Sequence, residues 1–560
     1  MTLAPSATAA LPLGTAPPPP RRARAGWTWL SLPFAGLVAA PLLAVLVSAA
    51  VPAGAVWRHI ASTTLPEMLA NSALLFLLVG LMTASAGALS AWLVTACRFP
   101  GRGVLEVALL LPMAMPAYVC GYAYTWLLDV AGPVQATLRS VTGLRWGQYW
   151  FPEIRSLPGA ALMLGMVLYP YVYLLCRNAF QQQSVCLLEA SRSLGHSLGS
   201  CFLRLALPMA RPAIVGGVAL ALMETLADFG TVQHFAVRTF TTGIYEAWFG
   251  LGDRSAASQL AACLMGLVAL LLALEQASRG GRRFHPTTNG HPVLRPVPLR
   301  GWKAAGAVLL CALPVALGFL LPAGTLLGLM LQVGDPLEPA RFLPFARNSI
   351  VLAGLAATAA VLLAGFLAWA ARLHPRPAQR LAVRVAGLGY AIPGSVIAVG
   401  TLVPLGLFDN ALDGWMRARF GVSTGLLLSG GVLALVFAYL VRFLAVALSA
   451  VESGLGRIRP SLRQAARVLG ASPAGAVWRV ELPLARGSLV TAFLLVFVDT
   501  MKELPATLII RPFDFDTLAV RVHGLAADER LAEASTAALL IVAAGLLPVL
   551  ALTRAIHRAP

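Results

Sequence analysis

The chain alternates long apolar blocks with short polar breaks that are rich in arginine. Each apolar block is long enough to cross about 30 Å of hydrocarbon as a helix. The twelve blocks begin near Trp27, Leu69, Val104, Gly159, Pro212, Ala256, Ala304, Asn348, Leu381, Gly425, Ser488 and Ala534. The pattern therefore predicts an all-α polytopic membrane protein with about twelve transmembrane helices.

Polar segments divide the chain into four regions. Residues 1–26 form a Pro/Ala-rich tail, and the apolar block that follows is too long for a signal-peptide core, so it predicts an uncleaved first span. Residues 281–302, rich in Arg, Pro and Gly, interrupt the chain near its middle. We expect a six-helix domain over residues 27–280, a linker over 281–302 and a second six-helix domain over 303–560.

Basic residues mark one side of the membrane. Their clusters are Arg98 with Arg102, Arg192 with Arg204, Arg279 to Lys303, Arg372 to Arg384, Arg457 to Arg479, and Arg554 with Arg558. All of them fall on the same predicted side as the arginines of the N-terminal tail. Because arginine and lysine are retained on the cytoplasmic side, both termini are expected to be cytoplasmic.

The two halves repeat each other in sequence. Asn71-Ser72, Ala91-Trp92, Pro100 and Pro116 recur at one constant spacing in the second half as Asn348-Ser349, Ala368-Trp369, Pro377 and Pro393. An even number of spans in each half makes the two repeats parallel. The repeat predicts two lobes related by a pseudo-twofold axis along the membrane normal, with a central path between them.

A second repeat lies in two predicted cytoplasmic loops, one in each half. One copy runs from Glu189 to Gly195 and the other from Gln464 to Gly470, and each is followed by a Leu-Pro pair. Each copy predicts a short polar helix that ends at a glycine in the left-handed conformation. Two such helices related by a twofold axis could bind a pair of identical cytoplasmic partners.

These loops resemble the EAA loop of bacterial binding-protein-dependent ABC importers. The matching residues are Glu189, Ala190 and Gly195 in the first copy and Ala465, Ala466 and Gly470 in the second. Gln464 stands in the second copy where the family usually has Glu. The resemblance therefore gives weaker support for an acidic contact in the second half. The resemblance implies a type I ABC importer permease fold in the bacterial inner membrane, without a cofactor. It also implies two copies of a cytoplasmic ATPase and a periplasmic substrate-binding protein as partners.

The chain carries no ATPase of its own. Its lysines are Lys303 and Lys502, and neither follows a glycine, so the GxxxxGK[ST] phosphate loop is absent from the sequence. We therefore expect a transport subunit and not an enzyme.

Charge and cysteine content exclude other classes of protein. The net charge is +19, but the arginines lie in short clusters between apolar runs, which indicates membrane orientation and not nucleic-acid binding. The seven cysteines form no CxxC pair, so no zinc site or disulfide is expected.

Matching acidic residues end the fifth and eleventh predicted spans. Glu224, Thr225 and Asp228 recur, in the same register as the loop motif, as Asp499, Thr500 and Glu503. Spacing of four places both carboxylates of a pair on one helix face, and a charge facing lipid costs about 2.5–3.5 kcal/mol. We expect these residues to line the path with oxygen ligands suited to a hard cation. In the alternative interpretation, Lys502 pairs with Asp499 and the other acids are satisfied at helix ends.

The strings around these acids are similar to those of ferric-iron ABC permeases. They run from Glu224 to Val232, from Met501 to Thr507 and from Arg511 to Thr517. The resemblance implies import of Fe(III) from a periplasmic ferric-binding protein, with no fixed metal site. Fused permeases for thiamine and for 2-aminoethylphosphonate share the architecture and remain alternatives. An ion-coupled secondary transporter also places acids in spans, but it has no need of two matched cytoplasmic helices.

Overall fold

The computed structural model describes residues 29–51, 54–182, 197–279, 296–333, 342–374 and 376–558, together with Ser191, Ser193, Gly195 and Ala340. Most of these residues are helical. Two short strands, β1 (Cys97–Arg98) and β2 (Val297–Pro298), pair in parallel where the linker re-enters the fold. The predicted tail, most of the linker, and the loop residues Glu189 and Ala190 lie outside the described residues.

Each half contributes a similar succession of long and short helices. The first half contains α1 (Ser31–Ala49), α2 (Gly54–Ala96), α3 (Arg102–Ala108), α4 (Ala117–Leu128), α5 (Pro133–Thr142), α6 (Leu157–Gln182), α7 (Leu198–Met209), α8 (Arg211–Ala227), α9 (Gly230–His234), α10 (Phe240–Tyr245) and α11 (Arg254–Arg279). The second half contains α12 (Trp302–Val333), α13 (Leu343–Leu373), α14 (Pro377–Ala386), α15 (Gly394–Phe420), α16 (Val432–Gly456), α17 (Pro460–Val468), α18 (Pro473–Met501), α19 (Pro505–Ile510), α20 (Leu518–Ala527) and α21 (Leu531–Arg558).

Ten helices in the described part of the chain are long and apolar enough to cross a membrane, and two bent pairs raise the number to twelve. The all-α polytopic fold is thus confirmed. The third predicted span, however, is not a single helix, because it is broken before Ala117 with a bend of 92°. The fifth predicted span begins where α8 begins, and α8 follows α7 after a bend of 72°. The ninth predicted span is also interrupted, because α14 ends at Ala386 and α15 begins only after Pro393.

The sequence repeat is reproduced in the fold. Pro116 and Pro393 both adopt extended backbone immediately before α4 and α15. Asn71 donates its side-chain amide to the carbonyl of Arg238 at 3.0 Å, and Asn348 makes the same bond to Asp516 at 3.0 Å. Equivalent asparagines therefore fix equivalent loops in both halves.

The first helix of each half lies against the other half. Helix α1 packs on α14 and α15, with the rings of Phe34 and Phe366 at 5.6 Å. Helix α12 packs on α3, α4 and α6, and Tyr124 donates its hydroxyl to the carbonyl of Leu317 at 2.8 Å. The linker therefore separates the halves along the chain, while the packing of α1 and α12 joins them in space.

Small residues bring the central helices of the second half close together. On α13, alanines at one face are fully buried against α16 and α18: Ala353, Ala356, Ala357, Ala360 and Ala364. Small side chains let membrane helices approach closely, and van der Waals packing then stabilises them. This three-helix group holds one wall of the site described next, and α2, α6 and α8 hold the other.

Candidate substrate path and coupling loops

The acidic pairs lie at helix ends. Helix α8 ends at Ala227, and Asp228 already has extended backbone with ψ of 137°. Helix α18 ends at Met501, so Glu503 also lies beyond its helix. The prediction that both acids of a pair share one helix face is therefore wrong, because the backbone leaves the helix between the two acids.

Asp228 and Glu503 each cap the short helix that follows. The Asp228 carboxylate accepts the backbone N–H groups of Thr231 at 3.0 Å and Val232 at 3.1 Å. The Glu503 carboxylate accepts those of Ala506 at 3.0 Å and Thr507 at 3.1 Å. Side-chain acceptors at a helix N-terminus satisfy amides that have no partner within the helix. The same cap is thus built twice, once in each half.

A central cavity of about 120 Å³ lies between the two halves. Its charged and phenolic lining comprises Tyr118, Tyr171, Glu224 and Asp228 from the first half and Arg442, Lys502 and Glu503 from the second. Three of the four predicted path acids therefore meet in one cavity. The fourth, Asp499, binds the ammonium group of Lys502 at 2.9 Å and is not among the lining residues.

The two threonines predicted for the path lie elsewhere. Thr225 donates its hydroxyl to the carbonyl of Ala221 at 2.9 Å within α8, and it borders a separate small cavity beside Ser72. Thr500 is buried, and its hydroxyl makes no hydrogen bond within the described part of the protein. Neither threonine lines the central cavity.

Arg442 is the residue of this site that the sequence analysis missed. Its guanidinium lies 3.2 Å from the Glu503 carboxylate, and only 12% and 2% of the two side chains are exposed. A Cβ at Gly394 would overlap both charged groups, so glycine leaves room for the pair. The first half has Ala117 at the position that matches Gly394. The sequence did offer a sign of this role, because Arg442 is the one charged residue of the apolar segment 432–449. A charged residue in a membrane-spanning segment usually faces the protein interior.

Hydrogen bonds cross the cavity between the halves. Tyr390, in the connector between α14 and α15, donates to the Glu224 carboxylate at 2.8 Å. Tyr118 donates to the backbone carbonyl of Lys502 at 3.4 Å. Carboxylate and phenol oxygens suit hard cations. The described residues contain no group of three or more His, Cys, Asp or Glu side chains arranged to hold a metal ion.

A second cavity, of about 430 Å³, is lined by Tyr122, Asp129, Arg155, His234 and Glu529. The ring of Tyr122 lies 5.7 Å from that of Tyr118, which faces the central cavity. The Tyr122 hydroxyl also shares a 2.6 Å hydrogen bond with His523 Nδ1 from the second half. Burial lowers the pKa of His523 to about 4, so the ring is neutral near pH 7. The neighbouring rings of Tyr118 and Tyr122 therefore each line one of the two cavities.

Both loop glycines adopt the left-handed conformation, as predicted. Gly195 has φ of 85° and Gly470 has φ of 89°. After each glycine, a serine caps the next helix: Ser197 accepts the N–H of Ser200 at 3.2 Å, and Ser472 accepts that of Gly475 at 3.0 Å. Each loop therefore has a left-handed glycine followed by a serine cap.

The second loop helix, α17, is a surface element. None of its residues is buried, and Gln464 and Ala465 are exposed on it. Val468 and Leu469, just before Gly470, are each 87% exposed. Neighbouring apolar side chains held out in this way are typical of a contact surface.

Comparison with known proteins places this arrangement in a class. Residues 358–559 match the family described as binding-protein-dependent transport system inner membrane component. Over these residues the chain is similar to inner-membrane components of binding-protein-dependent transport systems, and the apolar helices of the described part fit a multi-pass membrane protein. The relatives described next are permease proteins of transport systems, so the comparison indicates a transport component.

Individual relatives cover different shares of the chain. The Fe(3+)-transport system permease protein FbpB 2 of Haemophilus influenzae is 28% identical over 495 residues, which is 87% of this chain and 90% of the relative. The ferric transport system permease protein FbpB of Actinobacillus pleuropneumoniae is 22% identical over 79% of this chain and 64% of its own length. The molybdenum transport system permease protein ModB of Escherichia coli K12 is 27% identical over 34% of this chain and 81% of its own length.

Proposed function

We propose that this permease moves ferric iron, delivered by a periplasmic binding protein, into the cytoplasm with energy from ATP. The observation that carries the proposal is the central cavity, in which Glu224 and Asp228 from one half face Glu503 from the other. Oxygen ligands of this kind suit a hard cation. Two relatives that align with most of the chain, both ferric transport permeases, support the same substrate.

The size and charge of the central cavity favour an ion over the organic alternatives. Its volume of about 120 Å³ lies below the roughly 300–1,000 Å³ typical of sites for drug-sized ligands, which disfavours thiamine. Both cations at the cavity, Arg442 and Lys502, are already paired with carboxylates. A phosphonate would therefore meet unpaired acids such as Glu224 and be repelled.

We further propose that two copies of a cytoplasmic ATPase bind the two loop helices, one at Glu189, Ala190 and Gly195 and the other at Gln464, Ala465 and Gly470. The left-handed glycine and the serine cap that occur at both loops support a pair of identical partners. The chain would then act as two permease domains, 27–280 and 303–560, joined by the linker. A secondary transporter would not require these loops.

The deciding experiment measures substrate uptake by the complete complex. The permease, its ATPase and its binding protein are reconstituted in vesicles and offered labelled Fe(III), thiamine or 2-aminoethylphosphonate. We expect ATP-dependent accumulation of iron alone. Accumulation of either organic substrate without iron would overturn the proposed substrate, and iron uptake that needs an ion gradient but no ATP would overturn the importer mechanism.

Orientation can be tested at the two ends of α16. If both termini are cytoplasmic, Ser453 at the end of α16 faces the cytoplasm and Ser423 after α15 faces the periplasm; both are exposed. In a background without reactive cysteines, Ser423→Cys should react with an impermeant thiol reagent in intact cells, whereas Ser453→Cys should react only after lysis. The reverse pattern would contradict the proposed orientation.

Replacing Gly470 tests the coupling loop. A β-branched side chain in the left-handed region costs about 1–2 kcal/mol, so Gly470→Val should distort the loop and lower stimulation of the ATPase by loaded binding protein several-fold. The protein should still reach the membrane. Gly487→Val is the matched control, because Gly487 lies in α18 with open space around it and ordinary φ. Full stimulation in Gly470→Val would rule out docking at this loop.

A further inference from the structure

A fully buried carboxylate lies where the second coupling loop meets the membrane helices. Glu481, in the π turn Val477–Glu481 of α18, has no exposed side-chain surface. Trp369 donates its indole N–H to Glu481 Oε2 at 3.0 Å, and Oε1 lies 3.4 Å from Arg372 Nε and 3.9 Å from Arg463 Nη1. Because a buried charge is costly unless it is paired, this carboxylate holds its partners in place.

Three structural elements meet at this carboxylate. Trp369 and Arg372 end α13, Arg463 belongs to the loop helix α17, and Glu481 belongs to α18. Arg463 also donates to the carbonyl of Arg372 at 3.4 Å. The Arg372 guanidinium in turn donates to the carbonyl of Ile458, in the turn before α17, at 2.6 Å. Arg463 therefore links the exposed loop helix both to the end of α13 and to the buried carboxylate of α18.

The first half lacks every charged member of this cluster. The positions matching Glu481, Arg463 and Arg372 are Ala206, Leu188 and Thr95, although Trp92 matches Trp369. Trp92 instead packs against the rings of Phe180 and Phe202, each at 5.5 Å. A structural role common to both halves would not explain charges found in only one of them.

We propose that Glu481 and Arg463 form a latch that makes the second loop helix move together with α18. Helix α18 runs from this latch to Met501, next to Lys502 at the central cavity. Movement imposed on α17 by an ATPase would thus reach the cavity through α18, while the first half relies on apolar packing. Glu481 and Arg463 are positioning residues, and the inference rests on the proposed function.

The variant Arg463→Leu tests the latch without leaving a bare buried charge, since Arg372 still pairs with Glu481. In vesicles containing the complete complex, we expect iron transported per ATP hydrolysed to fall about fivefold. The stimulated ATPase rate should stay within about twofold of wild type. Arg479→Leu is the control, because Arg479 is exposed two residues before Glu481 and makes no ion pair within the described residues.

A double variant separates coupling from folding. Arg463→Leu with Glu481→Ala installs the two residues of the first half and removes the buried carboxylate. Arg372 keeps its hydrogen bonds to the carbonyls of Leu455 and Ile458, so the amount of folded protein should stay close to that of Arg463→Leu. We expect the iron-to-ATP ratio to remain low. An unchanged ratio in Arg463→Leu, or a ratio restored in the double variant, would overturn the latch.

A distance measurement keeps this test independent of the substrate. Nitroxide labels at Ser461 on α17 and Leu484 on α18, both exposed, are compared between nucleotide-free and ATP-trapped complexes. The distance should stay constant in the wild type and change in Arg463→Leu. Equal changes in both would overturn the latch, whereas absence of wild-type iron uptake would contradict only the proposed substrate.

Discussion

Arg442→Met is expected to abolish transport and to reduce sharply the amount of folded permease. The substitution leaves the Glu503 carboxylate, of which 2% is exposed, without its cation. Removing one partner of a buried pair costs about 3–5 kcal/mol, and Glu503 cannot move away because it caps α19. Thermal unfolding of the purified protein and iron uptake in vesicles measure the two effects.

An exposed ion pair supplies the control for Arg442. Arg417 lies 2.7 Å from Asp413 at the far end of α15, with 62% of the arginine side chain exposed. Exposed pairs contribute about 0–1 kcal/mol, so Arg417→Met should unfold near the wild-type temperature. Adding Glu503→Gln to Arg442→Met should recover part of the stability, because the amide keeps an acceptor for the cap. Wild-type unfolding of Arg442→Met alone would show that the pair is not needed for folding.

Hydrophobic blocks were sufficient to predict a polytopic helical protein, but not its breaks. Averaged hydropathy stays high across α3 and α4, although the chain turns by 92° between them. The turn depends on Pro116, which adopts extended backbone, and Pro393 does the same in the second half. The sequence repeat identified both prolines as equivalent positions. Hydropathy averaged over a window of residues, however, cannot show where a short helix ends.

The acidic pairs show a second limit of arguments from residue spacing. Spacing of four implies a shared face only while the helix continues, and here a side-chain cap replaces the next turn. Thr231, three residues after Asp228, was a local sign of that cap, since both its N–H and its hydroxyl bond to the carboxylate. The partnership of Arg442 with Glu503 spans 61 residues, so no local pattern could reveal it.

Glu224 is the acid whose neutral variant should separate transport from folding. Unlike Asp228 and Glu503, it caps no helix within the described residues, and its hydrogen bond from Tyr390 at 2.8 Å can be made equally to an amide oxygen. Glu224→Gln should therefore fold normally. If Glu224 contacts the metal ion in transit, iron uptake should fall about tenfold or more, the scale of losses at metal sites.

Variants of the ion pair Asp499–Lys502 can be compared with Glu224→Gln, because their main effect should be on folding. Their side chains are 21% and 30% exposed, so Asp499→Asn should leave Lys502 without its partner and lower the amount of folded protein. Lys502→Met in the same chain should then restore folding and uptake together, because the pair is lost as a unit. In Glu224→Gln, by contrast, no change at Lys502 should rescue uptake. Wild-type iron uptake in a variant that neutralises Glu224, Asp228, Asp499 and Glu503, at matched protein level, would show that these carboxylates serve the scaffold and not the ion.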